Sequence, residues 1–149
     1  MPLGFSRGCS RYSIYYAVYR SSAEGSTVSS ALRTVLSDFT RIEGVSGVAL
    51  ISKDGFPIEY IMPRGDVDPE ALAAMVVTLI GAATRISEEL RFGDLDIVTA
   101  EYRNNYLLME DVGPAFFVVI ADRRAVLGRI RFEMKRQRDR IRAALGPSA

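Results

Sequence analysis

A run of fourteen residues without a charged side chain, Ala71 to Thr84, most restricts how this chain can fold. Asp68, Pro69 and Glu70 come just before it and have the composition of a helix start, so the run predicts a helix that continues to about Arg91. A bilayer span needs about twenty apolar residues. We therefore expect a helix of a soluble, cytoplasmic protein with no membrane span.

This second helix has two apolar faces. One stripe is predicted to cover a sheet and consists of Leu72, Met75, Val76, Leu79, Ala83, Ile86 and Leu90. The opposite face carries Ala74, Val77, Thr78, Gly81 and Ala82. Because the outer face of a monomer's surface helix is polar, we expect a second copy of the chain to cover these five residues. The alternative is that the same chain covers them, for instance with its N-terminal arm.

Periodicity and turn residues place the other elements. They predict a helix over 28–42, strands over 45–52, 56–62, 95–102, 106–111 and 115–121, and a last helix to residue 145 that Asp122 caps. This order predicts an α+β fold, a five-stranded antiparallel sheet sandwiched by three helices. Residues 27–145 form the single domain, 1–26 an appended arm that ends in a flexible linker composition, and 146–149 a short tail.

Several residues predict the position of a strand in this sheet. Asp54-Gly55 favours a hairpin turn, and Pro57 favours an edge for the strand that follows. The wholly apolar segment 115–121 is expected to be central and covered on both faces. The strand over 95–102 is a candidate edge that could pair with its own copy, and we count Ile97 and Thr99 among the dimer contacts.

The residue types exclude most catalytic chemistry. The chain has no histidine and one cysteine, which removes a Ser-His-Asp triad, a Cys-His dyad and most zinc sites. It has no glycine-rich phosphate loop either. We assign no catalytic, metal-binding or cofactor-binding residue, and we expect a protein that is not an enzyme and needs no cofactor.

Charge is concentrated near the C-terminus. Residues 122–142 contain nine basic and three acidic side chains, whereas the whole chain has a net charge of only +1. This basic helix leaves open a role as an adaptor for nucleic acid or an anionic surface. No set of stacking aromatic residues accompanies it, which argues against nucleic acid.

The hairpin segment, Val45-Ser46-Gly47-Val48-Ala49-Leu50-Ile51-Ser52-Lys53-Asp54-Gly55-Phe56-Pro57-Ile58 after Gly44, resembles the Roadblock/dynein light chain family. The long helix of small residues and the three closing strands extend the resemblance over residues 32–145. It implies a profilin-like homodimer in which the third strands pair into one continuous sheet and the second helices are adjacent. It further implies a non-catalytic platform for small Ras-like GTPases. The N-terminal arm and the arginine-rich last helix are additions to a minimal domain of this family.

The leading hypothesis is therefore a homodimeric module that regulates or scaffolds a small GTPase. Arg85, Glu88 and Glu89, at the polar end of the second helix, are the candidate partner-binding residues. A small-molecule-sensing profilin-like domain is an alternative, but the core positions offer no polar group for a ligand.

Overall fold

The computed structural model describes residues 27–62 and 67–146. The N-terminal arm, residues 63–66 and residues 147–149 lie outside the described residues. The described residues form eight helices and strands in the predicted order. They are helix α1 (Thr27–Thr40), strands β1 (Val45–Ser52) and β2 (Pro57–Ile61), helix α2 (Pro69–Leu90), strands β3 (Ile97–Glu101), β4 (Asn105–Asp111) and β5 (Ala115–Asp122), and helix α3 (Leu127–Leu145).

The five strands form one antiparallel sheet in the order β2-β1-β5-β4-β3. The apolar strand β5 is in the centre, and β2, which begins at Pro57, is at one edge, as the sequence predicts. At the first hairpin, Gly55 has φ +89°, a conformation that favours glycine. The amide of Gly55 donates to the Ser52 carbonyl at 3.0 Å and closes the turn. The predicted fold class is confirmed.

Helices cover both faces of the sheet. On one face α1 and α3 bury apolar side chains against Val48, Leu50, Leu108, Phe117 and Val119. Phe39 of α1 meets the ring of Phe117 edge to face at 4.8 Å between centroids. On the other face α2 packs alone against a second cluster, which includes Ala49, Ile51, Met109, Phe116 and Val118.

The caps of α2 explain where this helix begins and ends. The Asp68 carboxylate accepts a hydrogen bond from the Glu70 amide at 3.0 Å, and proline occupies the first turn. At the other end Arg91 adopts the left-handed conformation, with φ 57° and ψ 47°. The predicted bounds of this helix are therefore close to the observed ones.

The predicted start of the last helix is wrong. Asp122 is the final residue of β5, where it pairs with Asn105 of β4. Its carboxylate accepts a hydrogen bond from the Arg124 amide at 2.9 Å, which closes a turn rather than capping a helix. Helix α3 starts at Leu127, after Val126, which has no side chain suited to capping.

The predicted sheet-facing stripe of α2 is also wrong in part. The residues that α2 buries are Leu72, Ala73, Val76 and Ile80. Four members of the predicted stripe are instead exposed to solvent, namely Met75, Leu79, Ile86 and Leu90. The helix is rotated relative to the prediction, because alanine at position 73 lets α2 approach the sheet on that side.

Candidate functional site

The outward surface of α2 is apolar along most of its length. The exposed fraction is 62% for Met75, 39% for Leu79, 54% for Ile86 and 59% for Leu90. On a helix these residues succeed one another by four, seven and four positions, so they form one row. A monomer rarely exposes a continuous row of large apolar side chains, and such a row marks an interaction surface.

This row lies on a defined side of α2. Val77 is on the flank of α2 opposite this row and packs near the first hairpin. A Cβ added to Gly55 of that hairpin would lie 3.8 Å from Cγ2 of Val77. The hairpin joins β1 to β2, so this flank faces the β2 side of the sheet. The exposed row of Met75, Leu79, Ile86 and Leu90 therefore faces the β3 side, where the sheet ends.

Strand β3 is at the edge of the sheet opposite β2, as the sequence predicts, because β4 is the one strand in the described structure that pairs with it. On the α2 face of this edge, Val98 and Ala100 of β3 are only half-buried. Leu107 of β4 and Ile120 of β5, on the same face, are likewise half-buried. The apolar row of α2 thus continues into a partly uncovered strip of sheet that ends in a strand with unpaired backbone groups.

The predicted dimer contacts occupy three kinds of position. Ala74, Thr78, Gly81 and Ala82 are exposed on α2, whereas Val77 is half-buried against the sheet. Ile97 and Thr99 lie on the opposite face of β3, toward α3. Ile97 packs with the α1 and α3 core, and the Thr99 hydroxyl accepts a hydrogen bond from Arg131 at 3.2 Å.

Sequence reasoning missed the larger apolar residues of this surface. Periodicity predicts that Met75, Leu79, Ile86 and Leu90 face the sheet, and it gives no distinct role to Val98 and Ala100. The signal that could have found them is the small size of Ala73, since a residue without a bulky side chain favours the closest approach of a helix to its sheet.

The predicted partner-binding residues are brought together at the C-terminal end of α2. Arg85 forms ion pairs with Glu88 at 3.3 Å and with Glu89 at 2.7 Å, and all three side chains are more than half exposed. Such surface pairs contribute little to stability, so they can exchange for partners on another protein. Just beyond them the Phe92 side chain is 73% exposed.

A buried ionic network supports the β3 edge from beneath. The Glu110 side chain of β4 has no solvent exposure, and its Oε2 accepts hydrogen bonds from Arg138 Nε at 3.0 Å and Nη2 at 2.7 Å. Arg138 Nη2 also donates to Asp96 at 2.6 Å, and Lys135 pairs with the same carboxylate at 2.8 Å. Because Asp96 directly precedes β3 and Glu110 is in register with Ile97, α3 is tied to this edge.

The pKa values of the two carboxyl groups in this network are shifted in opposite directions. Burial raises the pKa of Glu110 from 4.5 to about 7, although the Arg138 hydrogen bonds oppose the shift. Hydrogen bonds from Lys135, and then from Arg138, lower the pKa of the more exposed Asp96. Glu110 Oε1 has no hydrogen-bond partner among the described residues. The network therefore has a structural role, and within it Glu110 is a buried carboxyl group whose hydrogen bonding is incomplete.

The remaining cleft and charged clusters of the described residues give little indication of a ligand or metal site. A cleft of about 590 Å³ between the end of α2 and α3 is lined by charges of both signs, which include Arg91, Arg138, Glu88 and Asp94. Within residues 27–62 and 67–146, no group of three or more His, Cys, Asp or Glu side chains could hold a metal ion. By length and composition α2 could also cross a membrane, which is weak evidence for one such helix, and four of its residues are buried against the sheet.

Comparison with known proteins agrees with this fold. Residues 32–121 match the model of the Roadblock/LC7 domain. The uncharacterized protein MJ0714 of Methanocaldococcus jannaschii is 38% identical over 116 residues, which cover 78% of this chain and 98% of that protein. A second uncharacterized protein of that organism, MJ0310, is 38% identical over 109 residues, which cover 73% of this chain and 95% of that one.

Solved structures share the architecture at lower identity. Myxococcus xanthus MglB superposes with a TM-score of 0.72 at 22% identity, over 78% of this chain and 88% of that chain. The Roadblock/LC7 domain from Streptomyces avermitilis gives a TM-score of 0.67 at 22% identity, over 76% and 96%. At this identity the likeness concerns the fold. The family match over residues 32–121 and the two relatives at 38% identity establish that the chain belongs to the Roadblock/LC7 domain family.

Proposed function

We propose that this chain is a non-catalytic homodimeric binding module of the cytoplasm that regulates or scaffolds a small Ras-like GTPase. The observation that carries the proposal is the apolar row of α2 beside the open edge of β3. One interface can cover both features, because a second copy can pair its β3 with this one and place its own α2 alongside. MglB has been solved in a tetrameric arrangement, which supports self-association as a property of this fold.

The proposed dimer has a definite geometry. If two β3 strands pair in antiparallel fashion, the two-fold axis runs perpendicular to the sheet, and equivalent faces of both copies lie on the same side. The two α2 helices then meet across the axis through the exposed row that contains Met75, Leu79 and Ile86. Of the small residues expected at the interface, Ala82 lies beside this row and allows the helices to approach closely, whereas Ala74, Thr78 and Gly81 lie further round the outer side of α2.

The dimer is tested by substituting Ile86 with arginine. The Ile86 side chain is 54% exposed in a single copy, so an arginine fits the folded monomer but not the covered row of α2. Light scattering during size-exclusion chromatography should give about 16.4 kDa for Ile86→Arg and twice that mass for the unmodified chain. The control is Ala31→Arg, at an exposed position of α1 far from β3, which should remain a dimer.

An unmodified chain that is monomeric at micromolar concentration would overturn the dimer. An Ile86→Arg variant that keeps the dimer mass would move the interface away from this row of α2. Val77→Asp is a poorer test, because Val77 packs against the sheet and its replacement disturbs the monomer as well.

The GTPase is proposed to bind on the α2 side of the dimer, at the ion-paired end that carries Arg85, Glu88 and Glu89. This end remains exposed when the central turns of α2 are covered. Any effect on hydrolysis would come from holding the switch segments of the GTPase, because no residue here is assigned as a catalytic group.

The partner is tested with purified small GTPases encoded in the same genome, each loaded with GDP or with a non-hydrolysable GTP analogue. We expect one of them to bind with a clear preference for one nucleotide state, and Arg85→Glu to weaken that binding at least several-fold. Arg103→Glu, an equal charge change in the turn between β3 and β4, should leave it unchanged. If no GTPase binds in either nucleotide state, the proposed regulatory role is wrong, even if light scattering shows a dimer.

A further inference from the structure

The outer face of α3 carries an exposed aromatic residue among basic ones. The Phe132 side chain is 62% exposed, although it lies in the middle of a helix whose buried residues are Ile130, Met134, Gln137 and Ile141. Arg129 lies three positions before it, and Lys135 and Arg136 lie three and four positions after it. Residues at these spacings are neighbours on a helix surface, so cations surround the phenyl ring.

This face has a clear excess of positive charge. The exposed cations of α3 are Arg129, Arg131, Lys135, Arg136, Arg140 and Arg142, and the helix has only two acidic residues, Glu133 and Asp139. Four of these cations have an acidic partner: Lys135 pairs with Asp96 at 2.8 Å and Arg136 with Glu133 at 2.9 Å, and Arg140 and Arg142 lie 3.9 Å from Asp38 and Asp139. Arg129 and Arg131 form no ion pair with any residue in the described part of the chain. The excess charge that the fold leaves without an acidic partner is therefore at the N-terminal half of α3, beside Phe132.

The same face is open. A Cβ added at Gly128, four positions before Phe132, would meet nothing within 4 Å. The cleft near α3 lies on the other flank, where Arg138 and Arg142 line it, so that cleft offers an extended peptide no groove on the outer face.

We propose that the outer face of α3, defined by Arg129, Phe132 and Arg136, docks on the surface of an anionic lipid bilayer. Phe132 enters the boundary between headgroups and acyl chains, and the long basic side chains reach the lipid phosphates around it. An open face with one wholly apolar aromatic ring suits this partner. Nucleic acid would instead favour several stacking rings or side chains directed into a groove.

The proposal does not depend on the GTPase or on the dimer, but the proposed dimer would strengthen the effect. When two β3 strands pair about an axis perpendicular to the sheet, both α3 helices lie on the same side of it. Two docking faces would then meet one membrane together, while the paired α2 helices would face the cytoplasm. Attachment through two weak sites exceeds the affinity of either alone.

Vesicle sedimentation tests the charge requirement. The full chain should sediment with phosphatidylcholine vesicles that contain about one third phosphatidylglycerol, but not with pure phosphatidylcholine, and high salt should release it. Removing two cations with Arg129→Gln and Arg136→Gln should lower the partition coefficient about 30-fold. The control pair Arg91→Gln and Arg103→Gln removes the same charge elsewhere and should lower it by less than about threefold.

Fluorescence tests the orientation, because the chain has no tryptophan. In Phe132→Trp the new indole is the sole tryptophan, and its emission should shift to shorter wavelength when phosphatidylglycerol vesicles are added. Phe92→Trp provides the matched control, since Phe92 is 73% exposed at the end of α2, on the other side of the sheet. Its emission should not shift.

Three results would overturn the proposal. The first is no binding to anionic vesicles by the dimer-competent full chain, and the second is equal loss of binding in the two charge-matched double variants. The third is an emission shift for Phe92→Trp without one for Phe132→Trp, which would place the membrane on the α2 side. Salt-sensitive binding to duplex DNA in the absence of vesicle binding would assign the basic face to nucleic acid instead.

Discussion

Arg138 directs two nitrogen atoms at one oxygen of Glu110, with Nε at 3.0 Å and Nη2 at 2.7 Å from Oε2, where Glu110 has no contact with solvent. The pair joins the middle of α3 to β4, and the shared bond from Nη2 to Asp96 extends it to the residue before β3. The open edge of the sheet is thus held by a charge cluster as well as by its own ladder of hydrogen bonds.

Removing the cation of this pair should destabilise the protein strongly. At about pH 8, where Glu110 is mostly ionised, we expect Arg138→Met to lower the free energy of unfolding by about 3 to 5 kcal/mol, because the buried Glu110 carboxylate loses its partner. Urea unfolding measures the change. Arg136→Met, which breaks a surface pair with Glu133, should cost less than about 1 kcal/mol and serves as the control. Equal losses in the two variants would contradict the interpretation of Glu110 as a buried charge.

Glu110 should also give the protein a recognisable dependence on pH. Its pKa is about 7 in the folded chain against 4.5 ordinarily, so between these values the folded chain holds a proton that the unfolded chain has released. Stability from this group is complete below about pH 4.5 and is lost as the pH rises through about 7, by up to about 3 kcal/mol. Glu110→Gln cannot titrate, so the fall between about pH 5 and pH 8 should be absent from its urea unfolding curves.

Asp96 should act in the opposite sense and in a separate range. Its pKa is lowered by Lys135 and Arg138, so its contribution to stability is present above the ordinary value of 3.8 and is lost as the pH falls below that value. Asp96→Asn should therefore remove part of the acid sensitivity below about pH 4 while leaving the fall above pH 5 in place. If Asp96→Asn alters the higher range instead, the two groups are assigned wrongly.

Gly44 should tolerate no side chain. Its φ is +87°, and an added Cβ would lie 2.5 Å from the Ala125 nitrogen. Gly44→Ala should cost about 2 kcal/mol or more, through backbone strain and displacement of the turn before α3. The control is Gly128→Ala in α3, where the space is open and the helix gains a better former, worth up to about 1 kcal/mol. Thermal denaturation of both variants should show shifts of opposite sign, and shifts of the same sign would refute this explanation.

The N-terminal cap of α2 should also be measurable. Asp68→Ala removes the acceptor for the Glu70 amide and should cost about 0.5 to 2 kcal/mol, whereas Asp68→Asn keeps an acceptor oxygen and should cost less. Urea unfolding distinguishes the two variants. A loss in Asp68→Asn equal to that in Asp68→Ala would show that the charge of Asp68, rather than its hydrogen bond, matters.

The sequence predicts an element well wherever polar and apolar residues are segregated. In α1 the apolar residues Leu32, Val35, Leu36 and Phe39 stand among polar ones, and all four are buried as expected. In α2 no charge marks the outer side between Ala71 and Thr84, so periodicity could not determine which side packs. The prediction therefore assigned Met75 and Leu79 to the sheet, where the structure exposes them.

The support beneath the candidate site left no local signal in the sequence. Glu110 follows Leu107, Leu108 and Met109 in a strand, and Arg138 lies 28 residues away in a helix rich in arginine. The sequence does not distinguish Arg138 from the neighbouring arginines. Only the packing of α3 on the sheet places Arg138 beside Glu110. Likewise, alternation in β3 placed Ile97 and Val98 on opposite faces but could not say which face lies toward α2, because both residues are apolar.

The position of β5 in the sheet has a consequence for how the protein is made. This strand lies between β1 and β4, yet it is the last strand to leave the ribosome. Until then the nascent chain can form two separate hairpins, β1 with β2 and β3 with β4, each with open edges and without the strand that joins them. The sheet then closes in one late event, and a pause in translation before residue 115 leaves a chain that is prone to pair with its neighbours.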